Sequence, residues 1–305
     1  MDTMQPTDEL LLVDVGQTGS RAQDGVKNRL HLERGMSPGS NLESLLEEIL
    51  GGIENRRAHT VVLGLTGLRG KVPDIEAVAT VCESLTGCQT LGVCDDGLAW
   101  SVGSLGNADG VALAVGGGVV AVSRRGDEFF HGDGNGSDFG DSGSAYWLGR
   151  KGIRAAIRAL EGSDQETELS QRFTDSFGSH DDFVRSHTEQ SDIHRVCIGF
   201  AHTVLDSAES GDAQARGIVG LGASRLGALV VAGATRISQP GQTTTVALGG
   251  GLMKSDLYRG LVAEAVHNSG VYEVIEPLGD ALDGLGHLAG MPQKDIGTLM
   301  RWWIA

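Results

Sequence analysis

Leu10-Leu11-Leu12-Val13-Asp14-Val15-Gly16-Gln17-Thr18-Gly19-Ser20-Arg21 is the stretch from which the rest of the chain can be read. A continuous apolar run, the pattern of a buried strand, ends in a carboxylate, then a glycine turn, then a second extended segment. A carboxylate at a strand end followed by a tight turn can present backbone amides to a phosphate. Phosphoryl transfer needs that arrangement, because its charge develops on oxygens that amides and Mg²⁺ neutralise. Taken alone, the same turn also suits an ordinary hairpin.

Outward from this stretch, Ser20 to Asp24 and Val26 to Leu32, separated by a turn at Asp24 and Gly25, complete a three-stranded antiparallel start. Helical spacing follows over Leu42 to Ile53, with Ser40 or Asn41 available as N-cap, and over Asp74 to Leu85. Thr60 to Leu65 and Thr90 to Cys94 read as buried strands, and a third helix, Gly97 to Leu105, opens behind Asp95 and Asp96. Gly106 to Gly110 is a polar break. A second cycle then starts: strand Val111 to Val115, the turn Gly116-Gly117-Gly118, strands Val119 to Ser123 and Glu128 to His131, and a helix over Asp141 to Leu160. Two halves that open alike suggest internal duplication. Residues 162 to 212 read as a polar, helix-leaning insertion. After it come a helix over Ala213 to Ile237, a strand over Thr243 to Leu248, and helices over Ser255 to His267 and Asp280 to Ala289. The division expected is 1–108 and 109–305, with the C-terminal helix and the Trp302-Trp303 tail packing back on the first domain.

With 305 residues and 40% hydrophobic content, the chain can bury the cores of two domains. Acidic residues number 40 against 24 basic, a net charge of −16 that repels polyanions and makes nucleic acid a poor partner. A nucleotide would have to be held by local amides, helix N-termini and a divalent metal rather than by overall charge. The four cysteines, Cys82, Cys88, Cys94 and Cys197, form no CxxC pair and read as reduced structural thiols. No apolar run of about 18 to 20 residues is expected to span a membrane, and MDTMQPTDEL is no basic leader. The expectation is therefore a cytoplasmic protein with no membrane partner.

Gly116 to Gly118 follows a strand as Gly16 does, and paired anion-binding hairpins can clamp one polyphosphate. Gly249-Gly250-Gly251 ends a strand before a helix, a place where backbone can lie against a ligand. Asp95 and Asp96 end a buried strand at a helix start, where one carboxylate can cap and the other can accept a hydroxyl proton. The Gly132 to Gly143 stretch has the aspartates of a calcium loop but lacks its closing glutamate.

DVGQTGSR, GLTGL (Gly64 to Leu68), DDGLAWSVGSLG (Asp95 to Gly106), AVGGGVVAV (Ala114 to Val122), FGDSGSAYWLGR (Phe139 to Arg150) and ALGGGLM (Ala247 to Met253), in this order, resemble the BadF/BadG/BcrA/BcrD ATPase family. The similarity is closest to its N-acetylglucosamine kinase-like branch. It implies an α/β protein of two RNase H-like domains, the actin-like ATPase fold, around a nucleotide cleft. It implies ATP and Mg²⁺ as cofactors and phosphoryl transfer to the 6-hydroxyl of an amino sugar, in an enzyme that can form a homodimer. By the same resemblance Asp14, Gly16, Gln17 and Thr18 make the first phosphate loop, with Asp14 the metal carboxylate. Gly116, Gly117 and Gly118 make the second, Gly249, Gly250 and Gly251 the adenosine motif, and Asp96 the catalytic base. Asn41, Thr66 and Asp141 fall at sugar-pocket positions. The chain departs from the family where Gly117 and Val119 replace Thr and Ser, Asn135 replaces an aromatic residue, and Ser142 replaces Glu. Two other readings stay open: an ATPase activator of a radical dehydratase, which needs cluster-binding cysteines, and a non-catalytic sugar or nucleotide sensor.

Overall fold

The computed structural model describes residues 10–17, 19–24, 28–33, 35–36, 41–53, 56–72, 75–188, 193–239, 242–270 and 272–305. The chain runs through β1 (Leu10–Val15), β2 (Ser20–Gln23), β3 (Arg29–Leu32), α1 (Leu42–Gly51), β4 (Thr60–Leu65), α2 (Glu76–Thr86), β5 (Thr90–Asp95) and α3 (Asp96–Leu105). It continues with β6 (Gly110–Val115), β7 (Val119–Arg125), β8 (Glu128–Asp133), α4 (Ala145–Leu160), α5 (Glu168–Phe177), α6 (His180–Thr188), α7 (Ile193–Ser210) and α8 (Ala213–Ile237). Last come β9 (Thr244–Gly249), a 3-10 turn (Gly251–Lys254), α9 (Asp256–His267), β10 (Tyr272–Ile275), α10 (Ala281–Ala289) and β11 (Met300–Ile304).

Strand periodicity builds the first sheet, ordered β11-β5-β4-β1-β2-β3 among the described residues. β1, β4 and β5 are parallel, and both faces are covered, as such strands require. Leu11, Val13 and Val15 join Leu46, Ile49 and Leu50 of α1 and Cys82 of α2 in one core. Leu12, Val62 and Cys94 point the other way, into a second core with Leu98 and Val102 of α3 and Leu282 and Leu285 of α10. The second sheet runs β10-β9-β6-β7-β8. Its β9-β6-β7-β8 sequence repeats the β4-β1-β2-β3 sequence of the first, so the duplication suggested by the sequence is present in the topology.

Contacts divide the chain into two compact units, 1–112 with 122–131 and 275–305, and 113–121 with 132–274. The division falls within β6, between 112 and 113, rather than at the 106–110 break, and residues 122–131 join the first unit together with the C-terminal segment 275–305 that was expected to pack there. β10 and β11 were not foreseen. β11, Met300 to Ile304, pairs antiparallel with β5, and Asp95 N donates to Leu299 O at 2.9 Å. The helix expected from Asp141 begins four residues later. Asp141 has φ 58°, outside helical space, and Ser144 caps α4 by accepting from Trp147 N at 3.1 Å. One expectation needs correction: α8 is long and apolar enough to cross a membrane, with an 18-residue window of mean hydropathy 1.6. Gly222, Ala223, Gly227 and Ala234 of this helix are buried in close packing, and a Cβ on Gly227 would lie 2.8 Å from Ala265 Cβ of α9.

α3 and α10 meet backbone to backbone. A Cβ on Gly103 would collide with Asp280 O, and one on Gly284 with Ala99 O, so neither can be accommodated by moving a side chain. Gly284→Ala should force the helices apart and lower stability by about 1–3 kcal/mol. Gly290→Ala, just beyond α10 with 3.5 Å to its nearest neighbour, should melt close to wild type. Equal melting temperatures for the two variants would refute this packing.

Candidate functional site

The strand register assembles the acidic side of the first unit. Asp14 of β1 stands opposite Gly64 of β4, which stands opposite Cys94 of β5, and Leu65 stands opposite Asp95. The three parallel strands therefore end together, with Asp14, Thr66, Asp95 and Asp96 at their carboxyl ends, where α/β sheets bind ligands. Thr66 N donates to Val15 O at 2.9 Å, tying the β4 exit to β1.

Asp95 and Asp96 are neighbours with opposite duties. Asp95 is buried and satisfied: its Oδ1 accepts from Gly97 N at 3.0 Å as the N-cap of α3, and its Oδ2 accepts from Gly70 N at 2.9 Å. His131 Nε2 lies 3.5 Å from the same Oδ1. Asp96 is half-buried, and its carboxylate bonds the Thr66 hydroxyl and the Gly97 amide. Burial first, then the neighbouring charges of Asp95 and Asp14, push its pKa up to about 8 against the lowering effect of the two hydrogen bonds. Asp14 is also pushed up by burial, against the Arg21 guanidinium, which donates to its Oδ2 from Nη2 at 2.6 Å and Nε at 3.1 Å.

The Gly16 to Gly19 turn after β1 closes on itself, Gly16 N donating to Gly19 O at 2.9 Å, so that amide serves the hairpin rather than a phosphate. Met36 N bonds Gly16 O at 2.9 Å, and a Cβ on Gly35 would collide with Gly16 O, so a second segment braces the loop. Gln17 is exposed in this turn, and Thr18 lies outside the described residues. Asn41 is occupied locally, its Oδ1 accepting from Ser44 N at 2.9 Å as the cap of α1.

In the second unit the turn after β6 repeats the pattern, Gly116 N donating to Gly118 O at 2.9 Å. Its carbonyls hold the start of α4: Ala145 N bonds Gly116 O at 2.8 Å and Tyr146 N bonds Gly117 O at 3.4 Å. Asp141 is buried beneath this turn, its Oδ1 accepting from Val119 N at 2.8 Å while its own amide donates to Asp133 Oδ1 at 3.0 Å. A Cβ on Gly118 would come within 2.9 Å of that carboxylate. Asp141 thus braces the second glycine turn, a duty that the sugar-pocket expectation did not include. Tyr258, wholly buried on α9, supports the same segment through its hydroxyl to Gly143 O at 2.7 Å. Gly250 has φ 94°, and a Cβ there would collide with Val115 O, so the β9 turn packs against the end of β6.

Sequence reasoning passed over Arg21, Asp280 and the bracing role of Asp141. Arg21 stood inside the quoted motif and could have been noticed. Asp280 carried no signal, because its relevance comes from a contact across 259 residues of chain.

Two measurements test this geometry. A carboxyl whose pKa rises from 3.8 unfolded to about 8 folded keeps its full stability contribution below the lower value and loses it as pH climbs through the higher. Asp96→Asn removes that titration, so in metal-free buffer its melting temperature should gain on wild type as pH rises from about 4 and level off above about 8. A constant gap across that range would contradict the shifted pKa. Among the glycines, Gly250→Ala should destabilise, whereas Gly116→Ala and Gly251→Ala, whose Cβ atoms meet nothing within 4 Å, should melt as wild type.

The sequence profile of the BadF/BadG/BcrA/BcrD ATPase family matches residues 10–284. No curated protein matches the chain. Among solved structures, the fold is similar to a candidate N-acetylglucosamine kinase of Chromobacterium violaceum (TM-score 0.72, 21% identity, covering 92% of this chain and 99% of that one). A second from Porphyromonas gingivalis has TM-score 0.72, 19% identity and coverage of 92% and 100%. A ROK family glucokinase of Streptomyces griseus, in complex with glucose and AMPPNP, has TM-score 0.61, 17% identity and coverage of 92% and 99%. These likenesses establish the actin-like ATPase fold. The chain belongs to the BadF/BadG/BcrA/BcrD ATPase family.

Proposed function

We propose that the protein is an ATP-dependent sugar kinase that transfers the γ-phosphoryl group to an amino sugar of the N-acetylglucosamine type, at its 6-hydroxyl, in the cytoplasm. The observation that carries this reading is Asp96: a carboxylate at a helix N-terminus, bonded to the Thr66 hydroxyl, with its pKa pushed up to about 8 beside Asp14. A buried structural cap needs no such shift, whereas a general base with a pKa near the working pH does. The two candidate N-acetylglucosamine kinases of the same fold support the choice of sugar.

Asp96 accepts the proton of the attacking hydroxyl as its oxygen bonds to phosphorus and the bond to the leaving ADP breaks. Thr66, donating to Asp96, fixes the carboxylate's rotamer so that the oxygen facing substrate is the basic one. Asp95 holds the start of α3 and the Gly70 turn on either side of it. The glycine turns Gly116 to Gly118 and Gly249 to Gly251 are assigned to the nucleotide, and Asp141 acts on it by setting the Val119 end of the first of these.

The donor chemistry suits Mg²⁺. Asp95 and Asp14 raise the proton affinity of Asp96, and Asp14 Oδ1 has no hydrogen-bond partner among the described residues. Mg²⁺ is commonly held by one or two carboxylates together with substrate phosphates, and Asp14 would hold it here. Bound there, the metal would neutralise phosphate charge during transfer.

A coupled ADP-release assay with N-acetylglucosamine, glucosamine, N-acetylmuramic acid and glucose, each against a no-sugar blank, tests the reading. Release should depend on sugar and be fastest with N-acetylglucosamine. Equal release with and without every sugar would overturn the kinase and favour an ATPase activator. Asp96→Asn should lower kcat by about 10²–10⁴-fold with both KM values changed far less. Asp95→Asn is expected to act differently, by lowering the melting temperature, because an amide cannot accept from both Gly97 and Gly70.

A further inference from the structure

Asp14 is not an isolated carboxylate. Arg21 grips its Oδ2 through two nitrogens, and the guanidinium's remaining nitrogen, Nη1, bonds Asp280 Oδ2 at 3.0 Å. Asp280 is the N-cap of α10, in a capping box with Asp283, and Arg29 bonds both, to Asp280 Oδ2 at 3.2 Å and to Asp283 Oδ1 at 3.1 Å. Arg21 is thus held from behind by a helix terminus that lies 259 residues away in sequence. The glycine contacts between α10 and α3 fix that terminus against the helix that begins at Asp96.

We infer that Arg21 is a positioning residue for the metal–nucleotide site: anchored by Asp280, it takes up Asp14 Oδ2 and leaves Oδ1 as the oxygen offered to Mg²⁺. The inference rests on the kinase reading of Asp14. A planar guanidinium holding one carboxylate oxygen with two donors fixes the rotation of the carboxylate, which a lysine ammonium cannot do. The arrangement acts on metal-dependent nucleotide binding through Asp14.

The test is calorimetric titration of the full-length protein with ADP, with Mg²⁺ and again with EDTA, beside a thermal melt. Arg21→Gln should weaken Mg²⁺–ADP binding by about 10–100-fold, the range for a group that orients a metal ligand, while metal-free ADP binding stays at the wild-type value. Arg21→Lys should recover part of the loss. Asp280→Asn keeps a good N-cap and so remains folded, and should show the same metal-specific loss to a smaller extent. Arg29→Gln touches α10 but not Asp14, and should change Mg²⁺–ADP binding by less than about two-fold. A lowered melting temperature in folded Arg21→Gln or Asp280→Asn with unchanged Mg²⁺–ADP affinity would reduce Arg21 to a structural brace and overturn the inference. Equal losses with and without metal would also overturn it, making Arg21 a direct phosphate ligand. If the wild type itself bound no Mg²⁺–ADP, the kinase reading would fall together with the inference.

Discussion

The desolvation of a small group of carboxylates constrains the rest of the first unit. β1, β4 and β5 run parallel and in register, so Asp14, Asp95 and Asp96 end side by side under cover of α3 and α10. Burial raises the pKa of Asp14 and Asp96, and each of the three carboxylates has its own partners. Asp95 receives two backbone amides, Asp96 a hydroxyl and the α3 terminus, and Asp14 the Arg21 guanidinium. The relief is graded. The cap is fully satisfied, and Asp96 keeps a raised proton affinity.

The second unit solves a different problem with the same strand order. Its glycine turn must lie close to the backbone it serves, and supports on several sides hold it there. The α4 terminus bonds the Gly116 and Gly117 carbonyls, Asp141 bonds the Val119 amide, and Gly250 packs on Val115. Asp133 and Asp141, both at positive φ, make the loop beneath it in a conformation that aspartate tolerates better than most residues. The two halves thus descend to a shared hairpin geometry, Gly16 to Gly19 and Gly116 to Gly118, but carry different chemistry on it.

Departures from the family's pattern fall in the same region. By the resemblance read from the sequence, Gly117 and Val119 replace hydroxyl residues, and it is the Val119 amide that Asp141 engages. A backbone group serves there where a side chain could have, and Ser142 follows in place of the more usual glutamate. These departures lie in and beside the Gly116 to Gly118 turn, and none of them falls at Asp14 or Asp96.

Much of this was legible in one dimension. Apolar runs of strand length placed β1, β4, β5, β6 and β9 within a residue or so, and glycine at their ends marked the turns, because those signals depend only on local backbone preference and burial. That one of Asp95 and Asp96 would cap α3 followed from a strand running directly into a helix, and Asp95 is that cap; only the family resemblance pointed to Asp96 as a base. The rest depended on contacts that sequence order hides. β11 pairs with β5 across some 200 residues, and a five-residue tail with two tryptophans has no periodicity to declare it. Asp280 reads locally as an ordinary helix cap, and only the close α3–α10 crossing, permitted by Gly103 and Gly284, brings it to Arg21. The sequence by itself determined which residues could carry the chemistry. The tertiary structure alone decided their charge state and orientation, because both are set by burial and by partners that fold next to them from distant parts of the chain.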